Sequence, residues 1–136
     1  MNRSAKAVWN GTIKEGKGNL TTQSATLNQT PYSFVSRFDE GKGTNPEELM
    51  AAAHAGCFTM KLSLDLTTAG FNPAALETTA VVAMDNGVIT KSALTLNAKI
   101  DGISEEQFLE IAQKSKETCP VSKAYNLEIT LEAHLN

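Results

Sequence analysis

The sequence predicts an α+β fold. Three observations carry it: strand-like alternation in the first forty residues and again after Gly70, one long capped apolar run between these regions, and a second capping box at Ser104 that opens shorter helices before a last strand.

The first strand is expected over Ala5 to Ile13, where Val8 and Ile13 alternate imperfectly around Trp9, and the turn Glu15-Gly16-Lys17-Gly18 leads to a return strand over Asn19 to Ser24. A turn at Asn28 to Pro31 precedes a third expected strand, Tyr32 to Phe38. Alternation puts Tyr32, Phe34, Ser36 and Phe38 on one face and Ser33, Val35 and Arg37 on the other. The loop Asp39-Glu40-Gly41-Lys42-Gly43 then enters the stretch around which the chain is organised, Thr44 to Gly70. Asn45 is a suitable N-cap, Pro46 suits the first helical position, Glu48 can complete a capping box, and Gly70 supplies the stop. Only His54 and Thr59 interrupt the apolar run Leu49 to Met60, so this half of the helix is expected to be buried nearly all round, with Cys57 inside. Lys61 and Asp65 break the run well short of the ~20 apolar residues a membrane span requires.

Beyond Gly70, Phe71-Asn72-Pro73 is a loop and Glu77 to Met84 a strand centred on Val81 and Val82. Asn86-Gly87 predicts a type I′ hairpin turn, because both residues tolerate positive φ. In the return strand, Val88 to Ile100, Leu94, Leu96, Ala98 and Ile100 face one way. Ser104 and Gln107 form a capping box for a helix with Phe108, Ile111, Ala112 and Ser115 on one stripe and Leu109 beside it. Thr118-Cys119-Pro120 ends that helix, and Pro120 suits the first position of a short one through Tyr125, with Cys119 at or near its N-terminus. A last strand carries Leu127, Ile129, Leu131, Ala133 and Leu135 on one face.

A chain of 136 residues with 41% hydrophobic content and neither linker nor repeat is expected to form a single domain, 1-136. A net charge of −3 and 6% aromatics supply neither a basic stripe nor a stacking platform, which argues against nucleic acid as a partner. Met1 to Lys14 has no apolar core of signal-peptide type, so a cytoplasmic location is expected, with no membrane attachment. In that compartment two cysteines are expected to rest as thiols. So few strands cannot cover a nearly all-apolar helix, and an obligate homodimer, with helices back to back and sheets outside, is expected to do so.

The cysteines are the first candidates for chemistry. Cys57 reads either as a small core hydrophobe or as a reactive thiol, and Cys119, just before Pro120, is where a helix dipole would favour the thiolate. A buried thiol stays inert unless something stabilises its anion, and Arg37 is the candidate cation. Glu47 or Glu48 would pair with it, although both also read as first-turn acids that complement the helix dipole. Ten residues separate Glu47 from Cys57, roughly 15 Å along a helix. Arg37 and Glu47 would therefore serve Cys57 at least partly from a partner subunit. His54 could act as the base of a Cys-His pair, but with no third residue to orient it, a packing histidine is the favoured reading. Ser104 and Ser122 read as helix caps, and with only His54 and His134 to add to the cysteines no zinc spacing appears, so neither metal nor cofactor is expected.

Gly43-Thr44-Asn45-Pro46-Glu47-Glu48-Leu49, Ala51-Ala52-Ala53-His54-Ala55-Gly56-Cys57-Phe58 and Cys119-Pro120-Val121-Ser122 closely resemble the OsmC branch of the OsmC and organic hydroperoxide resistance family. Leu27-Asn28-Gln29, Pro31-Tyr32 and Phe38 extend the resemblance over essentially the whole chain. It implies an intertwined homodimer with two long central helices flanked by antiparallel-rich sheets, and a thiol peroxidase that needs no cofactor. It also implies that Cys57 is the peroxidatic and Cys119 the resolving cysteine, Arg37 the activating cation and Glu47 its carboxylate. The implied partners are an organic hydroperoxide, hydrogen peroxide more weakly, and a dithiol reductant of lipoyl type. Met50, Phe58 and Phe71 are candidates to line an opening for the organic group. Two other readings stay open: a redox sensor or disulfide exchanger using the same cysteines, and a non-catalytic dimeric binding protein.

Overall fold

The computed structural model describes Met1–Asn136 and is α+β, as expected. It resolves into two compact units, Met1–Leu49 and Met50–Asn136.

In the first unit, strands β1 (Ala5–Asn10), β2 (Lys17–Thr22) and β3 (Thr30–Tyr32) form an antiparallel sheet in that order. Ile13, expected at the end of the first strand, lies in the turn and is exposed. The Trp9 and Tyr32 rings meet at 5.4 Å across β2, where Gly18 leaves the room: an added Cβ would stand 2.5 Å from Tyr32 and 2.7 Å from Trp9. The third strand corrects the expected one. It ends at Tyr32, and Phe34–Phe38 form a short helix, α1. Its cause is a reciprocal cap: Ser36 N–H donates to Ser33 Oγ at 3.2 Å and Ser33 N–H to Ser36 Oγ at 2.7 Å, which outweighs the alternation over Tyr32 to Phe38.

The long helix α2 spans Pro46–Thr68. Glu48 N–H donates to Asn45 Oδ1 at 2.8 Å, as predicted, but the Glu48 carboxylate accepts from Thr44 Oγ1 at 2.6 Å instead of closing the box on the Asn45 backbone. Within one chain the burial of α2 is one-sided. His54, Phe58, Leu62 and Leu66 are fully buried, whereas Ala52, Ala53, Gly56, Met60 and Leu64 lie exposed on the face a four-residue spacing defines.

In the second unit β4 (Pro73–Asp85) and β5 (Val88–Ile100) are a long antiparallel hairpin, turned by Asn86 at φ 48° and Gly87 at φ 76°. Strand β4 extends beyond the expected span at both ends, and Val81 is exposed. The helices α3 (Glu105–Thr118) and α4 (Pro120–Ala124) make the crossover that lets β6 (Glu128–Leu135) pair with β5 in parallel. Leu94, Leu96, Ala98 and Ile100 of β5, Phe58, Leu62 and Leu66 of α2, Phe108 and Ala112 of α3, and Cys119 form one core cluster. Leu109, beside the predicted stripe of α3, is 44% exposed.

The approach to α2 depends on Gly43. Its φ is +118°, and a Cβ there would lie 2.5 Å from the Pro31 carbonyl oxygen, which also accepts from Thr44 N–H at 2.9 Å. Gly43→Ala is expected to lower stability by about 1–3 kcal/mol, measured as a reduced urea midpoint with an unchanged slope.

Candidate functional site: a paired thiol and a buried histidine

The helix α2 and the junction of α3 with α4 hold the cysteines. Cys119 caps the end of α3, its N–H donating to Ser115 O at 2.9 Å, and it is also the N-cap of α4 ahead of Pro120. It is fully buried, while Cys57 is half-buried within one chain. Both are free thiols, and they lie beside each other. Burial pushes the Cys57 thiol up from its ordinary range, the neighbouring Cys119 thiol adds to the rise, and the Val121 backbone N–H at the start of α4 opposes it. Cys57 also borders an open hollow with Met60, Lys61, Leu64 and Pro120.

Arg37 and Glu47 meet in the first unit. The guanidinium donates from Nη2 to Glu47 Oε1 at 2.8 Å and from Nε to the same oxygen at 3.0 Å. Arg37 leaves from helix α1, not from a strand face shared with Val35, and its guanidinium lies 5.1 Å from the centre of the Phe38 ring. Backbone contacts set this geometry: Ser36 Oγ donates to Thr44 O at 2.9 Å, and the capping Asn45 also donates from Nδ2 to Ser36 O at 3.2 Å. Trp9, Ile13, Tyr32, Phe34 and Phe38 enclose, with Arg37, an apolar cleft of about 210 Å³. Of the residues expected to line an opening, Phe58 cannot take part, because it is wholly buried in the core.

His54 is fully buried, and both ring nitrogens are engaged: Nδ1 with Ser92 Oγ at 2.7 Å and Nε2 with Ser122 Oγ at 2.8 Å. Neither nitrogen is free to serve Cys57 as a base, so the packing reading of this histidine holds. Tyr125 stands edge-on to the imidazole at 5.3 Å and donates its hydroxyl to Met50 O at 2.9 Å. The tyrosine hydroxyl is raised above its ordinary value by burial and then by the two nearby cysteines. Sequence reasoning missed Ser92 and read Ser122 only as a cap. The alternation of β5, carried back two residues from Leu94, puts Ser92 on the buried face, where a lone hydroxyl needs a partner. The sequence holds no comparable signal for Ser122.

The fold and this arrangement define a two-cysteine thiol protein, with one thiol at a helix junction and the other on the helix packed against it. The OsmC-like protein family description matches residues 39–134. The peroxiredoxin OsmC of Escherichia coli (strain K12) is 48% identical over 99% of this chain and 97% of its own length. The organic hydroperoxide resistance protein OhrA of Bacillus subtilis (strain 168) is 37% identical over 67% of each chain. A solved OsmC-like protein from Mycoplasma pneumoniae shares the fold with a TM-score of 0.78 at 14% identity, covering 99% of this chain and 97% of that one. The chain belongs to the OsmC family.

Burial depresses the His54 pKa below its ordinary 6.5. The unfolded chain therefore takes up a proton more readily than the folded one. Stability contributed by the neutral imidazole is fully present above pH 6.5 and is lost as pH falls below it. Asp65, lowered from 3.8 by its hydrogen bonds to Lys61 and Ser115 although burial alone would raise it, adds stability that is lost only below pH 3.8. Urea midpoints are expected to fall between pH 7 and pH 5, and His54→Gln, less stable at pH 7, is expected to flatten that slope.

Proposed function

We propose that this protein is a thiol-dependent peroxidase that reduces organic hydroperoxides, and hydrogen peroxide more weakly, with an external dithiol as reductant. The observation that carries the reading is the contact between Cys57 and Cys119, two free thiols held together at a helix junction. The relatives are named a peroxiredoxin and an organic hydroperoxide resistance protein, in line with it. In the reaction, the Cys57 thiolate attacks the terminal peroxide oxygen, the O–O bond breaks, and Cys57 becomes a sulfenic acid as the alcohol leaves. The Cys119 sulfur then attacks the sulfenic sulfur, water leaves, and a disulfide forms that the dithiol reduces. A lipoyl-type dithiol fits this exchange.

Arg37 is assigned to stabilise the Cys57 thiolate and the charge on the leaving oxygen, with Glu47 orienting it through a two-point, charge-assisted pair. The need for such a cation is supported by the raised Cys57 thiol, which the Val121 backbone N–H alone opposes. Delivery of Arg37 and Glu47 by a second copy of the chain accounts for the ten-residue spacing from Glu47 to Cys57. The exposed face of α2 supports such a homodimer: Met60 is 77% and Leu64 60% exposed, and a Cβ at Gly56 would meet nothing within 4 Å. The aromatic cleft beside Arg37 suits the carbon skeleton of an organic hydroperoxide over hydrogen peroxide. No helix is long and apolar enough to cross a membrane; the proposed location is the cytoplasm.

Intact mass after one equivalent of cumene hydroperoxide is expected to fall by two hydrogens, with peptide mapping that joins Cys57 to Cys119. Cys57→Ser is expected to abolish turnover, and Arg37→Lys, which cannot make the two-point pair, to reduce kcat/KM at least tenfold. An unchanged mass with both thiols titratable would overturn the peroxidase reading. The dimer has its own test. Sedimentation is expected to give twice 14.6 kDa, and Gly56→Leu, harmless inside one chain, is expected to shift the protein toward monomer with loss of activity.

A further inference from the structure

We infer that His54 is a positioning residue for disulfide formation, acting through Ser122 to hold helix α4, and with it Cys119, against the helix that carries Cys57. The inference rests on the peroxidase reading above and adds a residue outside the reacting set.

The helix α4 has only five residues, and its N-cap Cys119 makes no side-chain capping bond. So short a helix has little stability of its own. Its attachments run to α2: Ser122 Oγ to His54 Nε2 at 2.8 Å, and, from the residue after the helix, the Tyr125 hydroxyl to Met50 O at 2.9 Å with the ring edge-on to His54. His54 and Met50 lie about one and two turns before Cys57 on the same helix. The other ring nitrogen is held by Ser92 of β5 at 2.7 Å, which fixes the imidazole plane and so the direction in which Nε2 meets Ser122. Ser92, His54 and Ser122, the side chains that hold the imidazole, are buried. Water therefore does not compete for these hydrogen bonds, and a lost partner leaves a buried polar atom unpaired.

Condensation needs the Cys119 sulfur in line with the S–O bond of the Cys57 sulfenic acid. An S–S bond forms, the S–O bond breaks, and the hydroxide leaves as water with the thiol proton. A loosened α4 lets Cys119 wander from that line and leaves the sulfenic acid open to a second peroxide, which oxidises it to the sulfinic acid. The first attack, by Cys57 on peroxide, does not use the Cys119 sulfur; loosening α4 withdraws both the Val121 backbone, which lowers the Cys57 thiol, and Cys119, which raises it, so the two changes oppose each other and the rate of this step is expected to change little.

Ser122→Ala tests this while removing one hydroxyl, which avoids the risk that a His54 variant fails to fold. Reduced protein is mixed with one equivalent of cumene hydroperoxide, and thiol loss, dimedone-trapped sulfenic acid and the Cys57–Cys119 disulfide are followed by quenched mass spectrometry. The expected result is thiol loss within about twofold of the parent rate but disulfide formation at least tenfold slower, with trapped sulfenic acid and, in excess peroxide, a gain of two oxygens on Cys57. Ser122→Thr, which keeps the hydroxyl, is expected to restore rapid disulfide formation. Thr59→Val serves as the control, since it removes a side-chain bond from α2 to Thr78 that does not involve α4, and it is expected to match the parent. Parental disulfide rates in Ser122→Ala, or an equal slowing in Thr59→Val, would overturn the inference. An unaltered protein that keeps both thiols after peroxide would instead defeat the peroxidase reading, and the inference with it.

Discussion

Burial of one stripe of α2 against β5 and α3 is the contact on which the thiol pair depends. Phe58, Leu62 and Leu66 enter the same cluster as Leu94, Leu96, Phe108 and Ala112, and Cys119 belongs to that cluster too. Fully burying side chains of this size is worth roughly 1.5–3 kcal/mol each, so the helix is held in one rotational setting. That setting turns Cys57, adjacent to Phe58, toward the junction where α3 hands over to α4. A thiol pair built in this way needs no loop to find its partner.

The same burial imposes costs that the polar residues meet. An imidazole in a dry core must have both nitrogens satisfied, and Ser92 and Ser122 do so from two different elements. No buried side-chain nitrogen or oxygen is left without a partner. The price falls on Cys57, whose thiol burial pushes up from its ordinary range. The proposed chemistry therefore calls for a cation, and Arg37, pre-oriented by Glu47, has the fixed charge and planar fork that suit the task.

In the first unit the orientation of Arg37 comes from backbone capping. Ser33 and Ser36 close the first turn of α1, Ser36 reaches on to Thr44 O, and Asn45 caps α2 while bonding back to Ser36. Each of these polar groups joins two segments, which explains why Ser36 and Thr44 are buried although neither is apolar. The aromatic rings around the cleft then pack on a framework that hydrogen bonds have already set.

Much of this was legible in the residues. Local signals found the elements they govern: Pro46 after Asn45 for α2, Asn86-Gly87 for the long hairpin, Ser104 with Gln107 for α3, Pro120 for α4. The alternation over Tyr32 to Phe38 predicts a strand, yet Phe34–Phe38 is a helix, and only the mutual bonds of Ser33 and Ser36 decide between the two. Which face of α2 is buried, and that Cys119 reaches Cys57, that Ser92 and Ser122 meet His54 from opposite sides, and that β6 runs parallel to β5 were decided by tertiary structure alone. The division has a physical reason: caps, turns and periodicity act over a few residues and are written in the local chain, whereas contacts between residues far apart in sequence exist only once the core has packed and its buried polar groups have found partners.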